Sequence, residues 1–93
     1  MKKNKTNKKF IYLISPNKIE KKDFYNNLDL VLSSKKVSFF QLRLKKETNK
    51  NKLDIGKKVK KICKKHKVKF LINDAPKLAK KLNADGCHLG QKD

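Results

Sequence analysis

Residues 68–90, VKFLINDAPKLAKKLNADGCHLG, contain two apolar runs with an amphipathic segment between them. The first run, VKFLIN at 68–73, is rich in β-forming residues and predicts a strand. In APKLAKKL at 75–82, Pro76 stands where a helix can begin, since a proline in the first helical turn gives up no hydrogen bond. The second run, DGCHLG at 85–90, predicts another short strand. A strand, a helix and a strand in such close succession indicate a parallel β-α-β unit.

The same alternation continues toward the N-terminus. FIYLIS at 10–15 and VSFFQLRL at 37–44 predict two further strands. Between them, a predicted helix has one apolar face and follows Asp23, a residue type that caps helices. A second stripe of mostly apolar residues runs from Leu53 to His66, and lysines occupy the opposite face. This pattern predicts a helix before the third strand. The apolar face of the first helix comprises Phe24, Leu28, Val31 and Leu32.

The predicted order is β-α-β-α-β-α-β, which is typical of α/β proteins with parallel strands. Two architectures fit this order. One is an open doubly wound sheet, and the other is the N-terminal half of a TIM barrel, with about four of its eight β/α units. No GxGxxG or GxxxxGK[ST] loop follows the first strand, which argues against dinucleotide-binding and P-loop folds. At 93 residues the chain holds one domain at most, so we expect a basic tail at 1–9 and one α/β domain at 10–93.

The net charge of +19 arises from 27 basic and 8 acidic residues, and all but one of the basic residues are lysines. Lysines neutralise phosphates, so a polyanion-binding or nucleic-acid-binding module is one interpretation. The other is an AT-biased composition, since asparagine and isoleucine are frequent and arginine, the usual choice for bidentate contacts, is nearly absent. We favour the compositional interpretation and do not expect a nucleic-acid partner.

The N-terminal residues 1–18 combine a basic stretch with an apolar run that is too short for a signal peptide and ends at Pro16. No stretch approaches the ~18 apolar residues of a membrane span, so no membrane association is expected. Cys63 and Cys87 lie in different predicted elements and form no CxxC pair. We therefore expect reduced thiols in a cytoplasmic protein.

The only arginine, Arg43, lies in the second predicted strand between Gln41 and Lys45. Residues two apart in a strand project from the same face, and in parallel sheets functional groups gather at the C-terminal strand ends. An amide, a guanidinium and an ammonium on one face suit a phosphate or pyrophosphate beside a polar heterocycle edge. The alternative is a strand end frayed into solvent, with Lys45 opening the next loop.

Two carboxylates follow the next two strands. Asp74 comes after Asn73 at the end of the third strand, and Asp93 lies shortly after the fourth. Mg²⁺ typically takes one or two carboxylates together with phosphate oxygens and waters, so this pair predicts a Mg²⁺ site. Asp74 has an alternative role as the N-cap of the helix that contains Pro76. His88 is interpreted as support for the site, and a hydrogen-bonded core histidine is the alternative.

Four blocks of the sequence, in their order and spacing, resemble the thiamine-phosphate synthase family, which also contains the thiazole tautomerases. The blocks are IYLIS at 11–15, QLRLK at 41–45, LIND at 71–74 and LAKKLNADGCHLGQKD at 78–93. The family fold is a (β/α)8 barrel. The resemblance implies a transferase with Mg²⁺ as cofactor, which joins hydroxymethylpyrimidine pyrophosphate to thiazole phosphate and releases thiamine phosphate and pyrophosphate. A thiazole tautomerase relative is the alternative within the family.

The resemblance also assigns residues to two groups. The pyrimidine pyrophosphate would contact Gln41, Arg43, Lys45 and Asn73, and Mg²⁺ would be held by Asp74 and Asp93. The first strand ends in SPNK, where the family often has a Thr-Asp pair. A (β/α)8 barrel needs about 200 residues or more, so residues 10–93 are expected to form a partial barrel domain without the family's later phosphate loops. This predicts little or no activity of the chain alone, and association with a second copy or with a complementary C-terminal half.

Overall fold

A computed structural model describes residues 11–19 and 23–89. Its elements follow the order β-α-β-α-β-α-β, which confirms the predicted alternation. The predicted basic tail at 1–9 lies outside the described residues. The elements are β1 Tyr12–Ile14, α1 Asp23–Ser33, β2 Phe39–Leu42, α2 Asn49–Lys65, β3 Lys69–Asn73, α3 Pro76–Leu82 and β4 Gly86–His88.

The strands form one parallel sheet in the order β1-β2-β3-β4. Each strand lies beside the next one in the chain, and the succession never reverses direction. Right-handed crossovers in a single direction place every helix on the same face of the sheet, whereas a doubly wound sheet reverses its order to cover both faces. The topology therefore decides between the two predicted architectures in favour of a barrel segment.

The core lies between the sheet and its helix layer. The strands bury the side chains that alternate toward the helices, among them Phe40, Leu42, Phe70 and Ile72, each at most 2% exposed. This period-two burial is what the apolar runs in the sequence predicted. The helices contribute the buried side chains Leu28 and Leu32 from α1, Val59 and Cys63 from α2, and Ala79 and Leu82 from α3.

Helix α2 begins at Asn49, earlier than the apolar stripe from Leu53 indicated. The side-chain oxygen of Thr48 accepts a hydrogen bond from the backbone N–H of Asn51 at 3.1 Å, so a polar turn is added before the first apolar residue. Asp23, predicted to precede α1 as its cap, lies in the first turn of that helix. There its negative charge interacts favourably with the positive end of the helix dipole. Within the described ranges, no helix is both long enough and apolar enough to cross a membrane.

The C-terminal end of α2 is tied to α1 by polar contacts. Asp29 of α1 accepts from the Lys65 ammonium at 3.2 Å and contacts the His66 ring nitrogen Nε2 at 2.5 Å. These hydrogen bonds, that of His66 first, lower the pKa of the Asp29 carboxyl. The two helices thus meet through an ion-paired surface contact beside their apolar seam.

Candidate functional site

The sheet face that points away from the helices carries the first site residue, Gln41. In the register, Ile14 pairs with Gln41, Gln41 with Leu71, and Leu71 with Gly86, so these residues form one row across the sheet. Gln41 is only 5% exposed although it lies in an otherwise apolar strand. A buried amide in this position is costly unless it has polar partners, so it marks the row as a place built to contact a polar group.

Arg43 follows directly after the last residue of β2. Its backbone N–H donates to the hydroxyl of Ser15 at 2.8 Å, and the backbone N–H of Ser15 donates to the carbonyl of Gln41 at 3.0 Å. The Ser15 hydroxyl thus takes the place of the backbone carbonyl that a longer β1 would supply. This bond fixes where Arg43 leaves the sheet. The Arg43 side chain is partly buried, and its Nε atom is shielded from solvent.

The predicted strand over 37–44 is longer than the observed β2, and the prediction that Lys45 continues it is wrong. Lys45 is exposed and lies in a turn, and the next backbone N–H, that of Lys46, donates to the carbonyl of Asn17 at 3.2 Å. The chain leaves the ladder because groups beyond the end of β1 accept its hydrogen bonds. The predicted alternative, a strand end in solvent, therefore describes Lys45 but not Arg43.

The ends of β3 and β4 bring Asn73, Asp74 and His88 together. Asn73 pairs with His88 in the register, and the backbone N–H of Asp74 donates to the His88 carbonyl at 2.8 Å. Asp74 has φ 54°, in the left-handed region that few residues with a side chain adopt readily. Its Oδ2 atom accepts from the side-chain amide of Asn73 at 3.4 Å. The left-handed turn thus places an exposed carboxylate beside an amide at the strand end.

The alternative prediction that Asp74 caps α3 is wrong. The N-cap residue is Ala75, and no side chain makes a capping hydrogen bond there. Pro76 lacks an N–H group, so one of the donors that a cap would satisfy is missing from this helix start. The helix can therefore begin without the carboxylate of Asp74.

Asp74 suits Mg²⁺ by the chemistry of its oxygens and by its exposed position at a strand end. In residues 11–19 and 23–89, no group of three or more His, Cys, Asp or Glu side chains could hold a metal ion. Mg²⁺ beside a phosphate ligand does not need such a group, because it takes one or two carboxylates and completes its shell with phosphate oxygens and waters. The other predicted ligand, Asp93, lies outside the described residues.

The cysteines take no part in this arrangement. Cys63 is fully buried beneath the sheet, and burial, followed by the charge of Asp85, raises the pKa of its thiol to about 12. A thiol with this pKa is protonated at neutral pH and is a poor nucleophile. Cys87 pairs with Ile72 in the register and lies on the helix-facing side of the sheet. Neither cysteine forms a disulfide bond in the structure.

The structure gathers most of the predicted site residues at one end of the sheet and adds Ser15 to them. Gln41, Arg43, Asn73 and Asp74 lie on or just after adjacent strands, and Lys45 lies in the adjoining turn. Ser15 was missed because it was interpreted only as the end of an apolar strand. Ser15 is only 6% exposed, and no pattern in the neighbouring residues marks its contact to Arg43.

Comparison with known proteins places these residues in a family. Residues 11–93 match the family model described as thiamine monophosphate synthase. The thiamine-phosphate synthase of Pelagibacter ubique is 82% identical over 93 residues, which are 100% of this chain and 45% of that protein. A thiamine-phosphate synthase of Campylobacter jejuni is 38% identical over 91 residues, which are 98% of this chain and 43% of that protein. The chain spans less than half the length of these curated relatives.

A solved structure shares the fold. Thiamine phosphate pyrophosphorylase from Pyrococcus furiosus superimposes with a TM-score of 0.77 at 23% identity, over 97% of this chain and 43% of that chain. At this identity the likeness shows the fold alone, and it confirms the predicted fold class, four parallel β/α units of a TIM barrel. The family model extends over every described element and over each of the strand ends at the site. The chain therefore belongs to the thiamine monophosphate synthase family.

Proposed function

We propose that this protein acts in thiamine biosynthesis as a thiamine-phosphate synthase. The reaction transfers the pyrimidine of hydroxymethylpyrimidine pyrophosphate to the nitrogen of a thiazole phosphate, and it yields thiamine phosphate and pyrophosphate. The observation that carries the proposal is the placement of a buried amide, a guanidinium and a carboxylate at the C-terminal end of one parallel sheet, in a chain of this family. The described residues supply one wall of that site.

Each side chain in this wall suits a part of the pyrimidine substrate. Arg43 presents a planar fork of donors that matches two oxygens of a pyrophosphate, which a lysine at the same position would not match. Gln41, buried on the sheet face that points away from the helices, offers an amide that can donate to and accept from the edge of a pyrimidine. Asn73 holds the Asp74 carboxylate through its side-chain amide. Lys45, in the adjoining turn, adds a positive charge near the leaving group.

Bond breaking in the proposed reaction leaves negative charge on the pyrophosphate as its bond to the pyrimidine methylene group is cleaved. Arg43 and Lys45 stabilise this charge, and fixed donors of this kind act most strongly where water is excluded. Asp74, together with Asp93, would hold Mg²⁺, which when bound neutralises charge on the departing pyrophosphate. The partial burial of Arg43 favours a directed contact over a loose surface attraction.

Titration calorimetry with pyrophosphate and Mg²⁺ tests this assignment. Replacing Arg43 with alanine removes hydrogen bonds between charged groups, each worth about 1.5–3 kcal/mol, so we expect affinity to fall about tenfold or more. Arg43→Lys keeps the charge but loses the fork, and we expect it to recover only part of the affinity. Asp74→Ala should remove the dependence of binding on Mg²⁺. Mg²⁺-dependent pyrophosphate binding that survives both alanine substitutions would contradict the site assignment.

Lys36→Ala is the matched control, because Lys36 is exposed and precedes β2, at the other end of that strand. It removes the same charge, and we expect it to leave pyrophosphate affinity nearly unchanged. Equal losses for Lys36→Ala and Arg43→Ala would instead favour diffuse attraction of polyanions by a lysine-rich surface. That alternative function also predicts a steep dependence of affinity on salt.

The two outer strands of the described sheet show where further barrel units would pack. β1 and β4 each have one edge without a partner strand within the described chain. We propose that these two sides pack against further β/α units encoded C-terminally, with association of a second copy as the alternative.

The reaction uses small molecules, and the free thiols suit a cytoplasmic setting. The large exposed apolar side chains of the described part are Ile11, Tyr12, Ile14, Leu30, Val31 and Leu89, which lie in or beside β1, on α1 and after β4.

A further inference from the structure

A second basic site lies at the opposite end of the sheet from the candidate functional site. A cleft of about 400 Å³ opens at the N-terminal end of β3, and its walls include four lysines and one acidic residue. β3 spans five residues, so this cleft lies roughly 13 Å along the strand from its other end. We propose that the cleft binds a small anion that carries two or more phosphate groups. The charged residues that line it are Lys60, Lys64, Lys67, Lys69 and Asp85.

The charges in this cleft favour an anion. Within residues 11–19 and 23–89, none of the four lysines makes an ion pair with a carboxylate, in contrast to Lys65, which pairs with Asp29. The single acid of the cleft, Asp85, already accepts a hydrogen bond from the backbone N–H of Phe70 at 2.7 Å. Like charges held around one cavity repel each other, so an anion with several charges is more favourable there than one with a single charge.

Hydrogen bonds within the protein weaken the negative charge at the two helix ends that lie at the cleft. Free carbonyls at the C-terminal end of a helix carry partial negative charge. At the end of α2, however, the carbonyls of residues 62–64 accept hydrogen bonds from the backbone N–H groups of residues 66–68, at 2.9–3.3 Å. At the end of α3, the carbonyls of Ala79 and Lys80 accept from Ala84 and Asn83. These five carbonyls are thus engaged within the protein, which weakens their repulsion of a phosphate.

Lys67 provides a means of separating binding from folding. It follows the cap of α2 with φ 58°, a conformation in which glycine is preferred because it has no side chain. Lys35, in the segment after α1, has φ 64° but does not line the cleft. Changing either lysine to glycine removes one positive charge and relieves the same backbone conformation. Only Lys67→Gly removes a charge from the cleft.

Titration of the chain with inorganic tripolyphosphate, in metal-free buffer at fixed ionic strength, tests the proposal. We expect Lys67→Gly to bind about five-fold more weakly, the effect of losing one well-placed ion pair, and Lys35→Gly to bind within about two-fold of the parent. Both variants should remain folded by circular dichroism, since glycine suits both positions. Absence of tripolyphosphate binding, or equal losses for the two variants, would overturn the proposal.

A second matched pair lies within α2. Lys60→Gln removes a charge from the cleft, whereas Lys57→Gln removes one from an exposed position of the same helix outside it. We expect only Lys60→Gln to weaken tripolyphosphate binding, again by about five-fold. A parallel titration with ATP distinguishes the source of the phosphates. Tighter binding of ATP than of tripolyphosphate identifies a nucleotide, and equal binding identifies an inorganic polyphosphate chain. Equal losses for the two glutamine variants would show diffuse charge attraction and overturn the proposal.

The inference does not depend on the proposed synthase function. Repeating the Lys67→Gly and Lys35→Gly titrations in the Arg43→Ala background excludes binding at the other end of the sheet. In that background, and without Mg²⁺, we expect Lys67→Gly still to bind tripolyphosphate more weakly than Lys35→Gly does. Pyrophosphate binding at the candidate functional site should instead require both Mg²⁺ and Arg43. If the difference disappears in that background, the lysine cleft is not the binding site.

Discussion

At the scale of single residues, the hydroxyl of Ser15 holds the end of β2 in place. It accepts from the backbone N–H of Arg43 at 2.8 Å and donates to the carbonyl of Pro16 at 3.1 Å. Ser15→Ala leaves a partly buried N–H without its acceptor, so we expect the free energy of unfolding to fall by about 1–2 kcal/mol. Pyrophosphate affinity should fall as well, because Arg43 loses the contact that fixes its backbone. Urea unfolding and calorimetry measure the two effects.

Ser33→Ala is the control for this prediction. The Ser33 hydroxyl donates to the carbonyl of Leu30 on an exposed part of α1, so its loss should change stability by less than about 0.5 kcal/mol and leave pyrophosphate binding intact. If Ser15→Ala lowers stability but leaves the affinity of pyrophosphate unchanged, Ser15 has a purely structural role and does not position Arg43.

The same residue shows what the sequence could and could not predict about the site. The positions of Gln41, Arg43 and Asn73 at this end of the sheet were predicted from local information, since alternation in a strand and position at its C-terminal end suffice to place them. The role of Ser15 could not be found in this way. It depends on β1 ending one residue before Ser15 and on a contact to another strand, and neither leaves a pattern in the neighbouring residues. Lys45 was misplaced for the same reason.

At the scale of elements, the apolar runs predicted burial better than strand length. Leu44 is buried although β2 ends at Leu42, and Val68 is buried although β3 begins one residue later. Side chains beyond the hydrogen-bonded ladder still pack against the helices, so an apolar run is longer than its strand. At the start of α2 the element is instead longer than its apolar stripe. The cap at Thr48 adds a polar turn before the first apolar residue, and hydrophobic periodicity does not reveal such a turn.

Helix packing gives a prediction at this scale, because α2 and α3 approach each other closely at Gly56. A Cβ atom there would overlap Cδ1 of Leu82 and lie 3.2 Å from its Cδ2. Alanine is favoured over glycine within a helix by about 1 kcal/mol, but overpacking a core costs about 1–3 kcal/mol. Since Leu82 is itself buried, we expect Gly56→Ala to lower the free energy of unfolding by about 1 kcal/mol, as measured by urea denaturation.

A double-mutant cycle with Leu82→Ala is the control for the helix contact. Removing the Leu82 side chain creates room for the new methyl group, so the two substitutions together should cost less than the sum of their separate effects. Strict additivity, or a gain in stability for Gly56→Ala alone, would show that Leu82 changes its rotamer without cost and that the close approach does not require glycine.

At the scale of the whole molecule, the sequence predicted parallel β/α units but left the barrel and the doubly wound sheet as alternatives. Both architectures use the same alternation of elements, and they differ only in the direction of each crossover. That direction depends on which face of the sheet each helix covers, a tertiary property that hydrophobic periodicity does not report. The structure supplies it through the strand order β1-β2-β3-β4, in which all helices cover one face. The opposite face, with Gln41, is then the interior of a barrel.

This interior face gives a prediction about the complete barrel. Ile14 shares its row with Gln41 and Leu71, yet its side chain is 50% exposed because no strand or core layer covers it in the described chain. Joining the chain to the C-terminal part of the Pelagibacter ubique synthase should close the barrel over this row. Urea unfolding then compares Ile14→Ala in the chain alone and in the joined polypeptide. We expect a cost of about 1 kcal/mol in the chain, where the side chain is half exposed, and about 2–5 kcal/mol in the joined polypeptide, where it is buried.

Leu32→Ala serves as the control, since Leu32 is already fully buried against the helix-facing side of the sheet. This substitution should lower the free energy of unfolding by the same amount in both contexts. Equal costs of Ile14→Ala in the two contexts would mean that the added units do not cover the face that carries Gln41, and the site would then lack its second wall.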